Sequence, residues 1–237
     1  MNSPLESLPI FYLGPVPVTS AIVTTWVIMG ILVMSACWFT RNLDLIPGKR
    51  QAALELMVTT LDLQIRETTG ADPSRYRSFV GTLFVFILIA NWTSLVPGID
   101  PPTAQLETDA ALAFVVFVSV IWFSISSDGV SGYLKSFAMP NPVMIPLNML
   151  ASITRVFSMF VRLFGNVMSG VFIVGVVASL AGLLVPIPLM ALDLLIGLVQ
   201  AYIFSVLAMV FITSTVIDGA PSTEEPETHP PQNMKED

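Results

Sequence analysis

The sequence predicts an all-α integral membrane protein, with about five membrane helices, an amphipathic interfacial helix and a long tilted hairpin at its end. Three observations lead there. Of 237 residues, 54% are hydrophobic and 11% charged, where a soluble domain carries about 25% charge. Mean hydropathy is +0.78. Several apolar runs also reach the ~20 residues that cross a hydrocarbon core of ~30 Å.

The elements follow in chain order. Residues 21–39 form the first span. The stretch 41–77 then holds six of the ten cations: Arg41, Lys49, Arg50, Arg66, Arg75 and Arg77. Within it, 51–66 sets Leu54, Met57, Val58, Leu61 and Ile65 at helical spacing beside Glu55 and Asp62. That pattern predicts an amphipathic helix at the membrane surface or against a partner. Residues 79–96 are the second span, ended by Pro97-Gly98. The loop to Asp109 has acids but no Lys or Arg. Residues 110–126 are the third span, closed by Ser127-Asp128-Gly129 and followed by a polar loop carrying Lys135.

The last two spans are predicted over 142–185 and 189–217, separated by Pro186-Ile187-Pro188. At 1.5 Å per residue they measure about 65 and 45 Å, so two such helices must tilt strongly or break. The rival reading splits the first of them near Arg162 into two ordinary spans, which moves the C-terminus to the other side. With the hairpin whole, the positive-inside rule puts 41–77 in the cytoplasm, the N-terminus outside and the C-terminus in the cytoplasm. The tail, 218–237, has six acids, one lysine and four prolines, the composition of a disordered segment.

Composition also narrows the chemistry. The single cysteine, Cys37, lies in an apolar run, and the single histidine, His229, lies in the tail. Neither a disulfide, a metal site nor a catalytic histidine is expected. No nucleophile or general-base cluster is present either, so the chain is not expected to be an enzyme on its own. No cofactor and no nucleic-acid partner are expected. The first cation is Arg41, which fits neither a cleaved signal peptide nor an Arg-rich transit peptide.

Arg162 is the informative residue. It sits in SMFVRLFGNVMSGVFIVGVV, an almost wholly apolar stretch. A guanidinium keeps its proton in a protein, and at the centre of a bilayer helix it costs roughly 2.5–3.5 kcal/mol on insertion scales. Such a charge has a partner or a task. Asn148, Arg155, Arg162 and Ser169 recur every seven residues, nearly two helical turns, and so share a face, with Asn166 one turn beyond Arg162. On the next helix Asp193 and Gln200 are also seven apart. Polar residues inside a membrane mark ion or proton routes.

Plainer readings stand beside this one. Asn148 and Ser169 serve equally as interhelical hydrogen-bond glue. Arg155 is placed to snorkel to the cytoplasmic boundary. Asp193, within about two turns of Pro188, reads equally as an interfacial acid. Arg162 and Asp193 fall at different depths if the hairpin turns at Pro186, so a permanent pair is not expected. A carboxylate on another subunit is then the natural partner.

Arg162-Leu163-Phe164-Gly165-Asn166 resembles the signature of subunit a of F-type ATP synthases, the stator of the membrane ion motor. Ile46-Pro47-Gly48-Lys49 with Gln51 and Glu55, Asn91 to Gly98, and Pro102-Thr103-Ala104 fall in family order. So do Gly132-Tyr133-Leu134-Lys135, Pro146-Leu147-Asn148, and Gln200-Ala201-Tyr202-Ile203-Phe204. Together they cover roughly 40 to 215. The resemblance implies a non-catalytic, ion-translocating subunit of a rotary ATPase in an energy-coupling membrane, for which a bacterial inner membrane is expected. Its implied partners are the ring of subunits c, subunit b of the peripheral stalk, the rest of the complex and the lipid bilayer. It also implies that Arg162 faces the ring, draws each ring carboxylate into its ionised form and separates two aqueous half-channels. Asn166, Gln200, Asp193, Ser169, Arg155 and Asn148 are the supporting residues expected along the route.

The chain departs from the family pattern in places. An acid common in the family is Val171 here, and acids common after Pro-Leu-Asn are Ala151 and Ser152. Gln105 and Ser94 also stand where acids occur. The departures point to a divergent branch, of sodium-translocating or N-type kind, and leave H⁺ against Na⁺ open. The competing reading from another class is a stand-alone secondary ion transporter with a midplane site at Arg162, which predicts internal repeats. No such repeat is visible.

Overall fold

The computed structural model describes residues 9–13, 16–41, 48–70, 72–96, 99, 101–138, 143, 145–181 and 186–217. Among these residues five helices are long and apolar enough to cross a membrane, which makes this an all-α membrane protein. In chain order the helices are α1 (Ser20–Thr40), α2 (Lys49–Thr69), α3 (Pro73–Trp92), α4 (Leu106–Ala138), α5 (Ile145–Ala181) and α6 (Pro186–Ile217). A two-stranded antiparallel hairpin, β1 (Pro9–Leu13) and β2 (Val16–Thr19), precedes α1. Sequence reading assigned no structure to that segment. The acidic tail lies outside the described residues.

Helix ends explain most boundary differences. α3 begins six residues before the predicted span because Asp72 caps it, accepting from the Ser74 backbone N–H at 3.1 Å, and Pro73 occupies the first turn. A proline there gives up only an N–H that has no helical partner. The Ser74 backbone N–H, and then its hydroxyl, hold the Asp72 carboxyl below its ordinary range. The same proline logic moves the start of α6: Pro186 and Pro188 lie inside its first turn. The loop expected after Ser127 is a correction. Gly129 adopts φ 73° and ψ 172°, which bends α4, and the chain resumes as helix through Ala138. Glycine tolerates that φ, so it makes a kink where an end was expected.

α5 and α6 have 37 and 32 residues, about 55 and 48 Å at 1.5 Å per residue. α6 is the central helix and packs against α2, α3, α4 and α5. Gly197, Ala201 and Ser205 recur every four residues along its buried face, and small residues at that spacing let helix backbones approach closely. The main core joins Leu83 and Ile87 of α3, Val116 of α4, Met159 and Leu163 of α5, and Ala201, Phe204 and Ala208 of α6. A second cluster, Ile65, Tyr76, Val80, Met209 and Ile212, docks α2. Arg77 also grips Asp62 through two hydrogen bonds of 2.6 Å, from Nε and Nη2. α1 stays at the periphery, with only Ala21 and Ile28 buried.

Candidate functional site

Arg162 lies near the middle of α5 and is exposed on its surface. It has no hydrogen-bond or ion-pair partner among the described residues, where the one ion pair is Arg77–Asp62. Its neighbour Leu163 is fully buried in the main core. The backbone at Arg162 is thus fixed by packing while the guanidinium projects outward.

One turn further along α5, Asn166 Nδ2 donates to Gln200 Oε1 of α6 at 2.7 Å. One turn beyond that, Gly170 meets Asp193. A Cβ placed on Gly170 collides with Asp193 Oδ1 and stands 3.0 Å from its Cγ, so the absence of a side chain makes the seat for the carboxylate. Ser94 Oγ donates to Asp193 Oδ2 at 3.1 Å. Asn91 Nδ2 donates to the Gly197 carbonyl at 3.1 Å. Asn91, Asn166, Asp193, Gly197 and Gln200 line one small cleft between α3, α5 and α6.

The cleft is incompletely satisfied. Asn91 Oδ1 and Gln200 Nε2 are buried without partners. One is an acceptor and the other a donor, and buried polar groups of this kind ordinarily find a partner in protein or ordered water. The arrangement therefore offers polar partners for a single water between fixed dipoles and one carboxylate.

The sequence-predicted residues divide. Asn166, Gln200 and Asp193 come together. Asp193 sits at the level of Gly170, about 12 Å along the helix axis from Arg162, which argues against a fixed pair between them. Ser169 turns back on its own helix, its hydroxyl donating to the Asn166 carbonyl at 2.9 Å. Arg155 lies on the opposite side of Arg162, its guanidinium 5.4 Å from the Phe211 ring centroid, a cation–π distance. Asn148 lies in the first turn of α5, where its carbonyl accepts from the Ser152 hydroxyl at 2.9 Å. Asn91 and Ser94 were missed as site residues. The available signal was a lone asparagine at the end of an apolar span.

Fold and cleft define a polytopic membrane protein with an exposed arginine on one long helix, unpaired among the described residues, and a polar ladder between its long helices. The family model described as ATP synthase A chain matches residues 22–213. ATP synthase subunit a 2 of Bradyrhizobium sp. strain BTAi1 is 52% identical over 215 residues, covering 91% of this chain and 96% of the relative. ATP synthase subunit a of Albidiferax ferrireducens is 42% identical over 218 residues, with 91% and 94% covered. ATP synthase subunit a 2 of Acaryochloris marina is 41% identical over 203 residues, with 85% and 87% covered. The chain belongs to the ATP synthase subunit a family. It is accordingly an integral membrane, non-catalytic subunit with a stator role in the membrane sector of an F-type ATP synthase.

Proposed function

We propose that this chain carries ions past the rotor, with Arg162 as the fixed charge between two half-channels. The observation that carries the reading is the exposed Arg162, unpaired among the described residues, with the Asn91–Asp193 cleft beginning one turn beyond it along α5. Asn91, Ser94, Asn166, Asp193 and Gln200 supply one aqueous route, at the end of the bundle where α3 ends. Arg155 and Asn148 lie along the other. Arg162 faces the ring of subunits c and draws each ring carboxylate into its ionised form as it passes. The same charge repels a cation trying to run straight through. The long helices α5 and α6 tilt to follow the ring, and subunit b holds the stator in place.

In this reading the N-terminus is outside, the described end of α6 faces the cytoplasm, and the membrane is a bacterial inner membrane. Each elementary charge moved through 100 mV supplies about 2.3 kcal/mol for rotation. The carried ion is H⁺ or Na⁺. Cross-linking tests the geometry. In a complex carrying Cys37→Ser, a cysteine at Val161 or Gly165 is expected to couple to cysteines beside the ring carboxylate. One at Leu163 is expected not to couple. Equal coupling from all three positions would remove the assigned face.

A further inference from the structure

Asp109 is used by nothing described so far. Its residue is 0% exposed, and both carboxylate oxygens are buried without a hydrogen-bond partner. It lies in the first turn of α4, where its backbone N–H donates to the Gln105 carbonyl at 3.2 Å. A short 3-10 turn, Pro102–Ala104, precedes it, and the Gln105 N–H returns to the Pro102 carbonyl at 3.1 Å. Turn and helix start are therefore one hydrogen-bonded unit. Thr103 within that turn is also 0% exposed, and its hydroxyl oxygen has no partner. Thr19, at the start of α1, is 4% exposed and its hydroxyl oxygen is likewise without a partner. The turn packs against α1, α3, α4 and α5, at the end of the bundle where α3 ends and the Asn91–Asp193 cleft lies.

A buried carboxylate without donors is costly unless a cation neutralises it. Among the described residues nothing does so. The 3-10 turn, β2 and α1 contain no charged residue. Glu107 in the same turn of α4 is exposed. α3 places Arg75 and Arg77 at its opposite end, and they contact Ser126 and Asp62. The cations of α5 are Arg155, over Phe211, and Arg162; neither pairs with Asp109. Asp193 of α6 is engaged with Ser94.

We propose that Asp109, supported by the Thr103 hydroxyl, is a second loading site for a monovalent cation, H⁺ or Na⁺, at the mouth of the route that leads to the Asn91–Asp193 cleft. The inference rests on the ion-carrying reading above. An oxygen-only donor set suits a proton or a hard cation and not a soft metal. With H⁺, a hydronium ion gives its proton to Asp109, an O–H bond forms and water is released. Release to a water on the cleft side reverses that step. With Na⁺, no covalent bond changes, and the ion exchanges hydration water for Asp109 and Thr103 oxygens.

The test uses the assembled complex in sealed vesicles, with ATP synthesis driven by an imposed ion gradient. Synthesis rate is measured against external pH at fixed sodium, and against external sodium at fixed pH. Asp109→Asn, which keeps the shape but removes the negative charge, the protonatable oxygen and one of the two ligand oxygens, is expected to raise the half-saturating concentration of the carried ion at least tenfold. The shift falls on the pH axis for H⁺ and the sodium axis for Na⁺. Thr103→Val is expected to shift the same axis by a smaller factor. Unchanged half-saturation on both axes in either assembled variant overturns the inference. If Arg162→Ala abolishes coupled transport in the same assay while these two change nothing, only the Asp109 site fails. If Arg162→Ala still transports, the ion-carrying reading fails with it.

Discussion

Asn166 and Gln200 are joined across α5 and α6 by a 2.7 Å hydrogen bond from Asn166 Nδ2 to Gln200 Oε1, one helical turn from Arg162. Such bonds between membrane helices average about 0.6 kcal/mol. As glue alone, the pair would hardly matter to the fold. Gln200→Leu is therefore expected to leave complex assembly and thermal stability nearly unchanged while ATP-driven ion uptake falls at least tenfold. Uptake that tracks the small stability change would leave the pair as glue.

Gly170 is predicted to be intolerant for a reason read off Asp193. A Cβ there strikes the carboxylate, so Gly170→Ala should expel Asp193 from its place beside Ser94. Ion uptake in Gly170→Ala is expected to fall as far as in Asp193→Asn. Gly175→Ala, on the same helix with open space around it, is the control and should transport normally.

How much of this was legible in the sequence depends on whether a feature is local. Arg162 could be found because a guanidinium in an apolar run is costly wherever it points. The polar stripe was visible because seven-residue spacing is a property of one helix. The contributions of Asn91 and Ser94 were not visible, since their partners Gly197 and Asp193 are about a hundred residues away and meet them only through α3–α6 packing. The burial of Asp109 was hidden likewise, because several different elements enclose it. Ser169 has the right spacing, but its hydroxyl proton goes to its own helix, which spacing alone does not reveal.

Leu163 separates positioning from chemistry. Its side chain is fully buried in the main core directly after Arg162. Leu163→Ala removes buried packing, a change that typically costs about 2–5 kcal/mol. The complex should melt at lower temperature, and residual transport should show looser coupling between ATP hydrolysis and ion movement. An unchanged melting temperature would contradict the packing described.

The Arg77–Asp62 pair clamps α2 to α3 close to the point where Ile65 enters the second cluster. Asp62→Asn removes the charge and leaves one acceptor oxygen, so one of the two hydrogen bonds is lost. Amide exchange in α2 is expected to accelerate while exchange in α6 stays slow. Equal rates in α2 before and after the change would show that Ile65 holds the helix without the ion pair.

The central claim is that Arg162 is the fixed charge at which ions are handed to and from the rotor. Ion uptake by the reconstituted complex carrying Arg162→Ala, measured alongside its ATP hydrolysis, tests it most directly. The account predicts an assembled complex with no ATP-driven ion uptake. Uptake at the wild-type rate in that variant would contradict it.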